Sequence, residues 1–499
     1  MESSVHWSGY VVMVVYVLLL VYLGIRGYQK TKTASEYAVS RREIGPVALG
    51  VCFSATLVSS TVMIGQPGWA YVGGACVLWQ GAPYWGAVIV GTLIIARKFR
   101  KVGNTFGSLT VPDWLGHRYG SDSVRFLAAI VVLINLFYIG AVIYGIAIVC
   151  QMMIGISYVW GLLLGTGIVL FYMFLGGMHA GITTDVVQGV LMGVLGIAML
   201  VLVFTVAGGF GNLTTSLSAI DPNLVRSFNP KFAVFKDIIA GISTAFFGFF
   251  FCVQANLANR LFVLRKNRDL AVFAITVALC LFAYYNTIFG GLVAKVALTS
   301  SLKRPDEAIP RLLFHAFPPV VASIALAAIL SAAMSTVSGL YHAIASIIGI
   351  DIYKRTLVEH NILSRRATPE QVEKIALTIC RAAIIVVGIV SILIVLKPPK
   401  FLATLATAGV FGYLAGAWPA IFLGLFWKKA TKWGAIASLI SGPITFVVLY
   451  SGGIVRSVYT SGFIAVLMGM LLLWVVSVAT PGSLPSEDRV ASMVLGEKR

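Results

Sequence analysis

The chain has 499 residues, 59% of them hydrophobic and 11% charged, with a mean hydropathy of +0.93. Soluble domains carry roughly 25% charged residues, so a water-soluble globular protein is excluded. Lys and Arg number 37 against 18 Asp and Glu, a formal charge of +19; in a soluble chain that excess would suggest nucleic acid, but here it reports membrane topology and no nucleic-acid partner is expected.

Apolar runs recur along the whole chain, each long enough to cross a hydrocarbon core about 30 Å thick. They predict an all-α polytopic membrane protein of about thirteen transmembrane helices, at about 8–26, 46–73, 78–97, 124–152, 158–176, 182–208, 236–259, 270–297, 318–350, 375–396, 401–426, 433–451 and 462–480, numbered here as spans one to thirteen. The first is a retained span, because Glu2 is acidic and the run from Val11 to Ile25 ends in Arg26 without a cleavage site. No connection is long enough for a soluble domain, so residues 1–499 read as one transporter-like domain: a leading helix at 8–26, a core at 46–426, trailing helices at 433–480 and a tail at 481–499. Sorting loop charges places 26 Lys and Arg on one side and 9 on the other. By the positive-inside rule the N-terminus is outside and the C-terminus and tail are cytoplasmic, in the cell membrane. Thirteen spans fit one leading helix, two inverted five-span repeats and two trailing helices, since an inverted repeat needs an odd number of spans per half. Spans two to six and seven to eleven share no convincing internal sequence similarity.

The six cysteines, Cys52, Cys76, Cys150, Cys252, Cys280 and Cys380, form no C-x-x-C pair and read as small apolar packing residues. Span two carries five hydroxyl residues within eight positions, Ser54, Thr56, Ser59, Ser60 and Thr61, followed by Gly65-Gln66-Pro67-Gly68. Hydroxyls compete with the backbone for hydrogen bonds and the Gly-x-Pro-Gly weakens a helix further, so an unwound middle is expected. Unwound carbonyls cannot face lipid and must line a cavity or hold a cation; a continuous helix whose hydroxyls bond back to their own carbonyls is the alternative. Span nine reads Ser331-Ala332-Ala333-Met334-Ser335-Thr336-Val337-Ser338-Gly339. The hydroxyls of Ser335 and Thr336 with the carbonyl of Ala332 supply three oxygens suited to a hard cation such as sodium, although small residues at this density also suit close helix packing. Gln66, Tyr138 and Tyr144 are candidate solute contacts, against core or interfacial aromatic packing. His342, seven residues after Ser335 on the same helical face, is a further suspect, against a neutral histidine bonded to a neighbouring helix.

Several motifs recur in one order: Ala34-Ser35-Glu36-Tyr37 with Arg42 and Gly45; Gly65-Gln66-Pro67-Gly68; Gly176-Gly177-Met178-His179-Ala180 before Thr184-Asp185-Val186-Val187-Gln188; Met334-Ser335-Thr336; Asp351-Ile352-Tyr353-Lys354; and Gly424-Leu425-Phe426-Trp427-Lys428 with Thr431 and Gly434. In this order the sequence resembles the solute:sodium symporter family over about residues 30–480. The resemblance implies a LeuT-like inverted five-plus-five repeat with broken helices, sodium as coupling ion, and a sodium site formed by the carbonyls of Ala55, Val58 and Ala332 and the hydroxyls of Ser335 and Thr336. It also implies a possible second sodium at Asp185 and Ser338, which Gly339 disfavours where some members carry another hydroxyl; Asp185 otherwise reads as a first-turn carboxylate of span six. In span seven Gln254 and Arg260 match the family's Gly-Gln-Pro-His segment and its following Arg. Gln254 and Asn256 are then solute-facing unless they satisfy each other, and Arg260 is expected at the inner interface. Leu57 stands where proline-carrying relatives have an acidic residue.

These readings predict a sodium-coupled symporter, not an enzyme, importing a small organic solute by alternating access. A monocarboxylate or pantothenate-like anion is favoured, with a proline-type amino acid or a proton-coupled carrier of the same fold as alternatives. The partners implied are that solute and the lipid bilayer, with no obligate protein partner evident. A channel would need a symmetric filter and an intramembrane enzyme an HExxH, GxSxG or clustered Asp/His; neither pattern is present.

Overall fold

The computed structural model describes residues 7–28, 34, 37, 44–261, 263, 269–298, 302–359, 368–397 and 402–484. Ser35, Glu36 and Arg42 of the first motif, and the tail from 485 onward, lie outside the described residues, as do the loop cations Lys30, Arg265 and Arg365 used in the charge count. Every regular element among the described residues is helical. Eleven helices are long and apolar enough to cross a membrane, or twelve when the bent pair Ile238–Phe251 and Ala255–Leu261 counts as one crossing. One candidate, Thr61–Gly103, runs past a turn at Gly74. Dividing it there and joining Thr61–Gly73 to the short apolar helix Pro46–Leu57 gives the thirteen crossings read from hydropathy. Gly74 holds φ +80° with its Cα against the Leu224 backbone, where a Cβ would lie 2.2 Å from the Leu224 carbonyl oxygen, so no other residue fits.

Spans five and six form one helical run, Tyr158–Thr205, broken at Gly177 by a left-handed φ of +51°. Span nine, Pro319–Ser346, continues as π-helix to Val358. It and span eleven, Leu402–Phe426, are buried over 78% and 83% of their apolar windows, against 33% for spans one, twelve and thirteen. The two former are therefore the axis of the bundle and the three latter its lipid-facing rim. Span one, Trp7–Tyr28, is nonetheless tied in, because the Tyr16 hydroxyl lies 2.9 Å from both Gln188 Nε2 of span six and Ser331 Oγ of span nine.

Spans two and seven, five crossings apart, are both interrupted in mid-membrane, which is the pattern expected of corresponding helices in the two halves of a repeat. In span two the break follows Leu57: Val58 is extended at φ −94°, ψ 100°. The local hydroxyls take over the lost helix bonds: Ser59 Oγ accepts from the Thr61 N–H at 3.1 Å and Ser60 Oγ donates to the Val142 carbonyl at 3.2 Å. The Gly-x-Pro-Gly motif does not cause this break, contrary to expectation. Residues Gln66–Gly73 are α-helix that continues directly from the π-helical turn Thr61–Gly65, so Pro67 lies inside an unbroken helical run. Its glycines serve contact: a Cβ at Gly68 would lie 3.0 Å from Asp306 Oδ1 and the Pro305 carbonyl. In span seven the chain bends by 46°, and the buried Val253 carbonyl at the bend accepts from the Tyr413 hydroxyl of span eleven at 3.1 Å.

Candidate functional site

The break of span two faces the hydroxyl-rich stretch of span nine. Ser335 Oγ lies 2.8 Å from the Ala55 carbonyl oxygen and 3.1 Å from that of Ala332. Thr336 Oγ1 lies 2.9 Å from the Thr56 carbonyl and 3.2 Å from Ala332. All five residues are fully buried. The structure thus brings together four of the five expected sodium ligands, Ala55, Ala332, Ser335 and Thr336, and adds the carbonyl of Thr56. Val58 is the extended residue of the break itself, and no hydroxyl of span nine bonds its carbonyl. A cluster of neutral oxygens, two from hydroxyls free to rotate their protons away, is the donor set a hard monovalent cation takes.

Asp185 is not a first-turn carboxylate. Span six runs Ala180–Thr205, and Asp185 is buried inside it, its Oδ2 accepting from Thr56 Oγ1 at 3.1 Å and Cys52 Sγ at 3.4 Å. The same oxygen is 2.8 Å from Arg260 Nη2, and the second guanidinium nitrogen meets Cys52 Sγ. Arg260 therefore is not an interface cation but a buried partner of Asp185, only 2% exposed. Gly339 makes room for it, since a Cβ there would stand 3.2 Å from Arg260 Nη2. Ser338 Oγ donates to the Ser335 carbonyl at 2.9 Å, so it turns toward its own helix. Thr56 links the two clusters, its carbonyl toward Thr336 and its hydroxyl toward Asp185.

The solute candidates separate into four places. Gln66 and Tyr138 line a narrow cleft between spans two, three, four, seven, eight, eleven and thirteen. Leu57, Ser59 and Thr61 of span two also line it, and the walls that were not legible in the sequence are Tyr84, Tyr285, Thr407 and Tyr459, which carry hydroxyls, and the apolar Phe247 and Phe251. No Asp, Glu, Lys, Arg or His lines it. Gln254 and Asn256 do not satisfy each other. Gln254 Nε2 donates to Asn135 Oδ1 at 2.5 Å, whereas Asn256 lines a second small cavity with Arg260, Ser338, Gly339 and His342, its amide atoms buried without partners. Tyr144 is elsewhere, its hydroxyl 3.5 Å from Asp306 Oδ2 in the connection between spans eight and nine. His342 Nε2 sits 2.8 Å from the Tyr37 carbonyl.

Two further charged groups frame the site. Asp306 Oδ2 lies 3.4 Å from the Leu402 N–H at the start of span eleven, and burial pushes its carboxyl up to about 7. At the opposite end Asp351 of span nine accepts from Thr110 Oγ1 at 2.6 Å, and Asp113 faces Arg125 Nε at 3.4 Å and Arg355 Nε at 3.7 Å. There Arg118 Nε donates to the Gly424 carbonyl at 2.5 Å and Nη2 to that of Trp427 at 3.2 Å, satisfying orphan carbonyls at the end of span eleven.

The profile of the sodium:solute symporter family matches residues 37–442. Similar curated proteins include the high-affinity proline transporter PutP of Bacillus subtilis, 25% identical over 480 residues covering 92% of this chain and 96% of that one. A sodium/proline symporter of Staphylococcus aureus is 27% identical over 462 residues, 90% and 86% of the two chains. Among solved structures a Na+-coupled sialic acid symporter superposes with a TM-score of 0.79 at 19% identity, covering 95% of this chain and 98% of its own. The nucleobase-cation-symport-1 transporter Mhp1 superposes with a TM-score of 0.54 at 13% identity, covering 91% and 97%. The last two share the fold, a LeuT-type bundle. With the profile covering most of the chain and relatives aligned nearly end to end, the protein belongs to the sodium:solute symporter family, polytopic membrane transporters that couple solute movement to sodium.

Proposed function

We propose that this symporter carries one sodium ion, held by the carbonyls of Ala55, Thr56 and Ala332 and the hydroxyls of Ser335 and Thr336, together with one small carboxylate-bearing organic solute held in the cleft at Gln66 and Tyr138. The observation that carries the solute reading is the charge-free cleft wall. Leu57 leaves no carboxylate to partner an ammonium, while the helix that begins at Thr61 offers the positive end of its dipole to an anion. A monocarboxylate is the first reading; proline is the second, favoured by the proline-carrying relatives. Arg260 supports a single sodium, because a guanidinium paired with Asp185 already supplies the positive charge that a second ion would bring. The loop charges support an outside N-terminus and a cytoplasmic C-terminus in the cell membrane.

Reconstituted protein tests the reading. Uptake of short monocarboxylates should require sodium and be lost when choline replaces it. Thr336→Ala, which removes one of about five oxygens, should raise the sodium concentration for half-maximal uptake severalfold. Uptake indifferent to choline, or proline competing better than every carboxylate, would overturn the coupling or the solute assignment respectively.

A further inference from the structure

One hydrogen-bond chain crosses the outer wall of the cleft and joins four elements. Thr407 Oγ1 of span eleven donates its only proton to the Ala403 carbonyl at 2.8 Å. Its 3.5 Å contact with the Tyr459 hydroxyl therefore has Tyr459 as donor, since Thr407 has nothing left to give. The Tyr459 oxygen accepts from Gln80 Nε2, and Gln80 Oε1 accepts from Gln66 Nε2 at 2.9 Å. Every donor runs toward Thr407. The direction of the chain is thus set at its far end and leaves one atom over at the near end: Gln66 Oε1, buried, on the cleft wall and without a partner. Two other cleft hydroxyls have a proton to give: Thr61 Oγ1 is buried without a partner, and Tyr285 OH accepts from the Tyr84 hydroxyl.

From this polarity we infer that the cleft selects a solute bearing a hydrogen-bond donor next to its carboxylate, a 2-hydroxy acid or an imino acid, and that Tyr459 of trailing span thirteen is a specificity-determining positioning residue. The carboxylate takes the hydroxyls of Thr61 and Tyr285, which can both donate; Gln66 Oε1 can only accept. A solute lacking the donor leaves that buried acceptor unpaired, and sites built to bond a polar group discriminate strongly against analogues without it. Tyr459 is packed for the role. It is buried, and its ring lies 5.4 Å from Phe247, 5.7 Å from Phe235 and 6.2 Å from Trp69, so its hydroxyl has one place to be. Without that hydroxyl both amides can turn over and present Gln66 Nε2 instead, reversing what the cleft asks of its solute.

The inference rests on the carboxylate reading above, and matched pairs separate the two. Sodium-driven counterflow in proteoliposomes is measured with lactate against propionate and proline against cyclopentanecarboxylate as competitors. The donor-bearing member of at least one pair should compete at least tenfold better. Tyr459→Phe should reduce that ratio to about threefold or less while sodium dependence persists, and Thr407→Val, which removes the terminal acceptor at nearly constant volume, should shift it in the same direction. Failure of all four acids to compete would remove the carboxylate reading and this inference with it. Propionate and cyclopentanecarboxylate competing as well as their partners, or ratios unchanged in both sodium-dependent variants, would overturn the inference alone.

Discussion

Asp185 and Arg260 are the only oppositely charged pair among the described residues whose side chains are both less than 5% exposed, and their energetics follow from that isolation. Removing one member of such a pair strands a charge and costs on the order of 3–5 kcal/mol, whereas replacing both by apolar groups of similar volume can be neutral. Arg260→Leu should therefore lower the thermal unfolding temperature of the purified protein markedly, and Asp185→Leu combined with Arg260→Met should recover most of the loss. A single variant as stable as the double would show that the pair is not coupled. The contrast with Ser335 and Thr336 explains what a single sequence can reveal. Adjacent hydroxyls in an apolar span are a local anomaly, visible without a structure. Asp185 and Arg260 are 75 positions apart, and nothing local to Arg260, just before a basic loop, distinguishes a buried guanidinium from an interfacial one.

At the scale of elements, hydropathy locates crossings because the bilayer imposes their length, and hydroxyl density locates the break of span two because those side chains replace the helix bonds on the spot. Close approach leaves no such mark, which is why Gly68 reads as a helix breaker until the loop holding Asp306 is seen packed on it. That loop contributes to the pH dependence of the fold. Its carboxyl is pushed up to about 7 by burial, aided by Glu307 and opposed by the Leu402 N–H, Tyr144 and Arg304. A raised folded-state value means the folded protein binds more protons than the unfolded chain between about pH 4 and 7, so stability falls as pH rises through that window and then levels off. The thermal unfolding temperature of the wild type should drop as pH rises from 5 to 7, and Asp306→Asn should reduce that slope. A slope unchanged in Asp306→Asn would place the dependence elsewhere. Gly68→Ala should destabilise at every pH, because it displaces the loop itself.

Across the whole molecule, the charge that moves with each transport cycle follows from what the interior already holds. With Asp185 matched by Arg260 and no charged side chain on the cleft wall, the proposed loading adds only the charge of one sodium and that of the solute. A monocarboxylate then crosses with no net charge, and a zwitterion such as proline crosses with one. Membrane potential contributes about 2.3 kcal/mol per charge per 100 mV, enough to change uptake severalfold even at partial potentials. In proteoliposomes at a fixed sodium gradient, an inside-negative potassium diffusion potential should leave the initial rate of monocarboxylate uptake unchanged. Any zwitterion that the same protein carries should be stimulated, which makes the solute its own control. Stimulated monocarboxylate uptake would mean that a second cation enters despite Arg260. Its site would then be sought beside Asn256, whose amide oxygen and nitrogen are both unpartnered in the small cavity it shares with Arg260.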